Sequence, residues 1–147
     1  MIKDFDFLHI PSAAQIEKLC FSDPWSEKAF EDSLKNSYSH FKVWEEERVE
    51  GYIGFYALSG EGSITNVAVH PGSRNKGIGE ALVKEVIKVG KELDLDYITL
   101  EVRVSNTPAK SLYLKCGFQE MGIRKNFYSK PREDAVIMNY FFKGQMN

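Results

Sequence analysis

The chain has 147 residues, 43% of them hydrophobic, and a formal net charge of -2 at pH 7. A chain of this length buries roughly 68–70% of its unfolded surface, so residues 1–147 are expected to form one domain with a full core. The near balance of charge gives no support to a bulk nucleic-acid binder.

Cys20 and Cys116 are too few for a disulfide framework. His9, His40 and His70 are well apart, so no metal is expected. No window approaches eighteen apolar residues, and no apolar run follows Met1-Ile2-Lys3-Asp4. Neither a membrane span nor a signal peptide is read, and a cytoplasmic protein is expected.

Residues 2–9 alternate Phe5 and Phe7 with Asp4 and Asp6 and predict a first strand. Pro11 and Ser12 open a helix that carries Ala13, Ile16, Glu17, Leu19 and Cys20. The stretch 22–26 breaks it, and Ser26 reads as the cap of a second helix with Ala29, Phe30 and Leu34 on its apolar side. Trp25, in the break, either plugs the corner between the helices or walls a substrate groove. Residues 38–45, 49–58 and 63–69 predict three strands in an antiparallel meander, with Gly51 and Gly54 interrupting the second.

A helix over 78–93 follows, with Ile78, Leu82, Val86, Val89 and Leu93 as its stripe. Residues 97–104 alternate Ile98, Leu100, Val102 and Val104 with Thr99, Glu101 and Arg103. Strand, helix and strand at this spacing predict a parallel crossover. Asn106 or Thr107 caps a further helix whose Ala109, Leu112, Tyr113 and Cys116 share one face, and Gly117 ends it. Residues 118–142 close the chain as a hairpin. The sum is an α/β (α+β) fold, with about four helices on a mixed, mostly antiparallel sheet of seven strands.

The loop Arg74-Asn75-Lys76-Gly77-Ile78-Gly79 stands between a strand and a helix. Backbone N–H groups, a helix N-terminus and two basic side chains predict an anion site there. Two glycines would let a ligand approach closely. The P-loop and dinucleotide fingerprints are both absent. By itself Gly-x-Gly also fits a plain helix start. Glu101 is either a structural ion-pair partner or a general base facing a cleft. Tyr113 is either core or a proton donor to a leaving thiolate.

Arg74-x-x-Gly77-x-Gly79 resembles the acetyl-CoA pyrophosphate loop of the Gcn5-related N-acetyltransferases. Pro24-Trp25-Ser26-Glu27-x-x-Phe30 resembles the ribosomal-protein-alanine N-acetyltransferases of bacteria. So does Leu100-Glu101-Val102-Arg103-x-Ser105-Asn106-x-x-Ala109-x-x-Leu112-Tyr113-x-x-x-Gly117-Phe118, and so does Arg132-Glu133-Asp134-Ala135. The resemblance spans nearly the whole chain and implies the acyl-CoA N-acyltransferase fold.

It also implies roles. Glu101 would be the base and Tyr113 the acid toward the coenzyme A thiolate. Asn106 would touch the coenzyme, Val67, Ala68 and Val69 its pantetheine arm, and Asn75, Lys76, Gly77, Ile78, Gly79 and Glu80 its pyrophosphate, with Arg74 adding charge. Trp25, Phe127 and Tyr128 would wall the acceptor groove. The implied reaction acetylates the N-terminal α-amine, that of alanine, on a small-subunit ribosomal protein. The enzyme would act as a monomer, without nucleic acid or membrane. Phe127 departs from the family's usual tyrosine, and Glu80 stands where a basic residue is common. Acetylation of lysine or of a small amine is the alternative within enzymes. An acyl-CoA-binding sensor or interaction module is the alternative outside them.

Overall fold

Alternation and helical periodicity resolve, in this computed structural model, into one seven-stranded sheet with helices on both faces; the structure describes residues 1–142. In chain order the elements are β1 (Ile2–Asp4), α1 (Ile10–Cys20), α2 (Glu27–Leu34), β2 (Lys42–Glu45), β3 (Val49–Leu58), β4 (Glu61–Val69), α3 (Ile78–Glu92), β5 (Tyr97–Arg103), α4 (Thr107–Lys115), β6 (Gln119–Ser129) and β7 (Arg132–Phe141). The sheet order is β1-β2-β3-β4-β5-β7-β6. Only β4 and β5 run parallel, as the crossover through α3 requires.

Two expected strands are shorter than the sequence pattern. The first ends at Asp4, because the Asp6 carboxylate accepts the Leu8 N–H and starts a 3₁₀ turn, Phe7–His9. Such a local side-chain bond competes with a ladder. Phe5 therefore turns inward while Phe7 stays 53% exposed. The strand expected over 38–45 begins at Lys42, since the Asn36 side chain takes the Tyr38 N–H at 2.8 Å and makes a turn.

The capping residues act as read. Ser26 accepts from the Ala29 N–H at 3.1 Å and Asn106 from the Ala109 N–H at 3.2 Å. Each such cap is worth about 1 kcal/mol. On α3, Leu93 leaves the expected stripe and Val83 and Gly90 join it. A Cβ on Gly90 would lie 2.6 Å from the Phe142 ring, so the helix rests directly on that side chain.

Two clusters sandwich the sheet. On one face α3 and α4 bury Leu82, Val86 and Tyr113 against Ile53, Phe55, Ile98, Leu100 and Met138. On the other, α1 and α2 bury Ile16 and Phe30 against Phe5, Phe41 and Tyr52, with Phe30 edge-on to Tyr52 at 5.3 Å. Truncating a buried ring such as Phe30 costs about 3–5 kcal/mol.

The seam between β4 and β5 positions the site. Its pairing covers only Glu61–Ser63 against Tyr97–Thr99, after which the strands part. Just there β4 gains one residue, Thr65, opposite the Gly54–Phe55 step of β3. A bulge bends a strand and reverses which face its later side chains meet. Ile64 joins the α3 face, while Asn66 and Ala68 reach the α1 face. Gly54 permits this, since a Cβ on it would sit 2.2 Å from Thr65 Oγ1.

Candidate active site

Parting the two strands opens a cavity of about 700 Å³. Its walls come from β4 (Ile64 to Val67), β5 (Leu100 to Arg103), α4, the α1–α2 turn and β6.

Glu101 alternates with the buried Leu100 and Val102, so it leaves β5 on the face away from α3 and α4. Tyr113 comes from α4 on the other face and packs on Phe118 at 5.6 Å. The two side chains thus leave opposite faces of the sheet, against the expectation that they share one side, and they still line one cavity because the strands part between them. Glu101 is about a quarter exposed, and its Oε2 stands 3.4 Å from the Arg124 guanidinium. Tyr113 is buried and makes no hydrogen bond to a described residue. Burial, with Tyr128 next in effect, pushes its hydroxyl well above the usual phenol range.

Tyr128 links the two. Its ring lies under the Arg103 guanidinium at 4.3 Å. Burial, and then the Glu101 charge, push its hydroxyl up to about 12. Phe127 stands edge-on to Tyr128 at 5.0 Å and is half-exposed at the mouth. Trp25 faces them from the α1–α2 turn, seated on Phe30 at 5.3 Å and Phe41 at 6.1 Å. It thus both plugs the helix corner and lines the cavity. Asn106, besides capping α4, lines the same space.

Along β4, the His70 N–H donates to the Glu50 carbonyl, across to the β3 side, at 2.7 Å. Such directions alternate along a strand. Ala68 therefore also turns its N–H to β3, while Val67 and Val69 present theirs to the parted edge. The Val69 carbonyl already accepts the Cys20 thiol at 3.4 Å and Arg74 Nε at 3.4 Å.

The loop after β4 is shaped by left-handed residues, Asn75 at φ 65° and Gly77 at φ 78°. Alternating handedness turns successive amides to one side, a form suited to anions. No side chain caps α3, so its first-turn N–H groups remain for an outside partner.

Two sequence expectations, those on Gly79 and Glu80, are corrected here. Of the two glycines, only Gly77 meets open space; a Cβ on Gly79 would lie 3.4 Å from Leu112 and 3.8 Å from Val69, so Gly79 serves close packing. Arg74 stays exposed while it donates to the Val69 carbonyl and to Cys20 Sγ, so Arg74 and Lys76 both keep positive charge at the loop. Glu80 does not stand as a free negative charge. Lys115 at 2.8 Å and Lys84 at 2.7 Å flank it and hold its carboxyl down at about 2, so the local balance is positive.

Sequence reasoning gave no role to Glu17 and Asn66, which meet in the cavity wall, or to Tyr52, which bonds them from behind it. One signal was available. Ala13, Ile16, Glu17 and Cys20 fall at 0, +3, +4 and +7, so a carboxylate occupies a core-facing position. Among the described residues, no cluster of His, Cys, Asp and Glu is suited to a metal ion, and no helix is long and apolar enough to cross a membrane.

A parted parallel seam, an amide-lined loop at a helix start and a carboxylate and phenol sharing one cavity define an acyl-transfer class of site. The acetyltransferase (GNAT) family matches residues 10–118, and the chain belongs to that family. Its relatives include a protein of Bacillus subtilis named as a putative [ribosomal protein bS18]-alanine N-acetyltransferase, 39% identical over 93% of this chain and 89% of its own length. The [ribosomal protein bS18]-alanine N-acetyltransferase of Escherichia coli K12 is 32% identical over 93% of this chain and 94% of its own. Among solved structures, the ribosomal-protein-S18-alanine N-acetyltransferase of Escherichia coli superposes with a TM-score of 0.89 at 29% identity, covering 100% of this chain and 96% of that one. Ard1 from Thermoplasma volcanium gives 0.89 at 26% identity, with 96% of each chain covered.

Proposed function

We propose that this protein transfers the acetyl group of acetyl-CoA to the N-terminal alanine of ribosomal protein bS18. The observation that carries the reading is the parted β4–β5 seam, where Glu101 and Tyr113 line one cavity from opposite faces of the sheet. Relatives named for this reaction across nine-tenths of the chain supply the acceptor.

The residues present fit acetyl-CoA. The amides of Asn75 to Glu80, at the uncapped start of α3, face outward as diphosphate donors, with Lys76 beside them. The open edge of β4 at Val67 and Val69 offers strand-like hydrogen bonds to the pantetheine amides. The Val67 N–H is placed to polarise a thioester carbonyl and to hold the negative charge that grows on its oxygen. Asn106, its carbonyl oxygen spent on the α4 cap, keeps an N–H₂ for the coenzyme.

The acceptor enters on the Glu101 face, between Trp25 and the Phe127–Tyr128 pair. An α-ammonium has a pKa near 7.7–8.0, against about 10.4 for lysine. Glu101 takes its proton, directly or through one water, and the freed lone pair attacks the thioester carbon. Collapse breaks the carbon–sulfur bond. Tyr113 gives its proton to the departing thiolate and regains one, through water, from the acylated nitrogen, which sheds its second proton to become the amide. The two proton-handling groups thus stand on opposite sides of the carbon that changes partners. Phe127 lacks a hydroxyl, so Tyr128 alone of that pair can hydrogen-bond the acceptor main chain.

The test is release of coenzyme A thiol with peptides that begin in alanine, beside blocked peptides carrying an internal lysine. Turnover at least tenfold faster with the free alanine terminus is expected. Equal or faster turnover of lysine would remove the N-terminal assignment and leave acetyl transfer itself standing.

A further inference from the structure

Glu17 is a carboxylate with no part in the reaction above, yet it lines the same cavity and is only 1% exposed. Its Oε1 accepts the Trp25 main-chain N–H at 2.8 Å. Its Oε2 accepts Asn66 Nδ2 at 2.8 Å and the Tyr52 hydroxyl. Thr65 donates to Asn66 Oδ1 at 2.9 Å, which leaves the Asn66 amide nitrogen to face Glu17. One side chain on α1 therefore ties the α1–α2 turn, a wall of the acceptor groove, to the residue just after the β4 bulge.

We propose that Glu17 is a positioning residue that fixes the acceptor groove against the acetyl-donor strand by clamping the Trp25 main chain to Asn66. This rests on the acetyl-transfer reading for what the two walls bind. The placement of a carboxylate here has a physical reason. Three donors converge on two atoms, and only an acceptor-only group satisfies all of them. Burial holds the Glu17 proton above the ordinary glutamate range, against the pull of those same three bonds. Apolar atoms in its place would leave all three donors buried and unpaired. The bulge and the turn need three hydrogen bonds met at one point.

Glu17→Gln keeps the shape and changes one oxygen into a donor. Whichever oxygen is replaced, the Trp25 N–H loses a charged acceptor, and an N–H₂ faces either it or the N–H of Asn66. Two readouts on the full chain test the clamp. Amide exchange at Trp25, in the absence of substrate, is expected to speed up at least tenfold in E17Q. The KM for the acceptor peptide is expected to rise about tenfold, the worth of one hydrogen bond to a charged acceptor, while the KM for acetyl-CoA stays within twofold. Unchanged exchange at Trp25 would overturn the proposal. So would unchanged Michaelis constants in the folded enzyme, whatever the melting temperature does, because that is how a purely structural group behaves. An equal rise in both constants would overturn the assignment to the acceptor side. If E17Q does not fold, Tyr52→Phe removes one donor and should show the same asymmetry at about threefold. A wild-type protein that acetylates no peptide would defeat the functional reading, while exchange at Trp25 would still decide the clamp.

Discussion

The seam between β4 and β5 has two ends, and they are built to opposite rules. At the closed end, Glu61 to Ser63 lie in register with Tyr97 to Thr99, and Gly62 is pressed so near Leu95 and Phe55 that a Cβ would meet both at 2.9 Å. At the open end, one extra residue at Thr65 turns β4 away, and Val67 and Val69 keep an edge that no strand pairs. The closed end spends its backbone groups on the sheet and contributes stability. The open end leaves them unpaired by any strand among the described residues, and the gap lets side chains from both faces line one cavity. On the proposed reading, chemistry and stability occupy neighbouring stretches of the same two strands, and substitutions should separate them.

The largest effect is expected at the open end. Glu101→Gln should lower kcat/KM by roughly 10²–10⁴, the usual worth of a positioned base. The loss should be greatest at low pH, where more of the acceptor is protonated, and acetyl-CoA binding should stay intact. Titration of the coenzyme by calorimetry together with a pH–rate profile checks this, and an equal loss of coenzyme affinity would move Glu101 out of the base role. Next, Tyr113→Phe should cut kcat by about 10² at the low end of the same range. It should leave the melting temperature nearly unchanged, because the hydroxyl it removes bonds no described residue. A steep fall in melting temperature would return Tyr113 to the core.

Smaller effects follow away from the reacting atoms. Gly77→Ala places a side chain at φ 78° with open space around it. The left-handed penalty of about 1–2 kcal/mol should then appear as an acetyl-CoA KM raised roughly five- to thirtyfold, with the acceptor KM unmoved. At the closed end, Gly62→Ala should overpack the core at a cost of about 1–3 kcal/mol, visible as a lower melting temperature. Its kcat per folded molecule should stay within twofold. A large loss of turnover there would mean that the two ends are coupled and the comparison is false.

Much of the arrangement was legible in the residues, for reasons that separate along the same line. α3 and β5 read well because periods near 3.6 and of two mark their buried faces. Ser26 and Asn106 read as caps because short polar side chains before a helix have few other uses. The fold class and the family's motifs followed from that order. The first strand overran because Asp6 bonds its own backbone, which alternation does not register.

The parting of the seam was less legible. Gly54 announces an irregularity in β3, but only pairing with β4 shows that it faces a bulge at Thr65. Glu17 needed partners 35 and 49 residues away to acquire meaning. Arg74 likewise donates to Cys20, 54 residues distant, while it keeps its charge at the loop. Side chains whose direction is set by remote elements are the ones a linear reading misplaces.

A crystal structure with coenzyme A and an alanine-initiated peptide would test the account most directly. It should show the pantetheine along the open edge of β4 at Val67 and Val69, the diphosphate against the amides of residues 75–80, and the peptide's amine on the Glu101 side of the seam with the sulfur on the Tyr113 side. Coenzyme bound on another face, or amine and sulfur both on one side of the sheet, would contradict it.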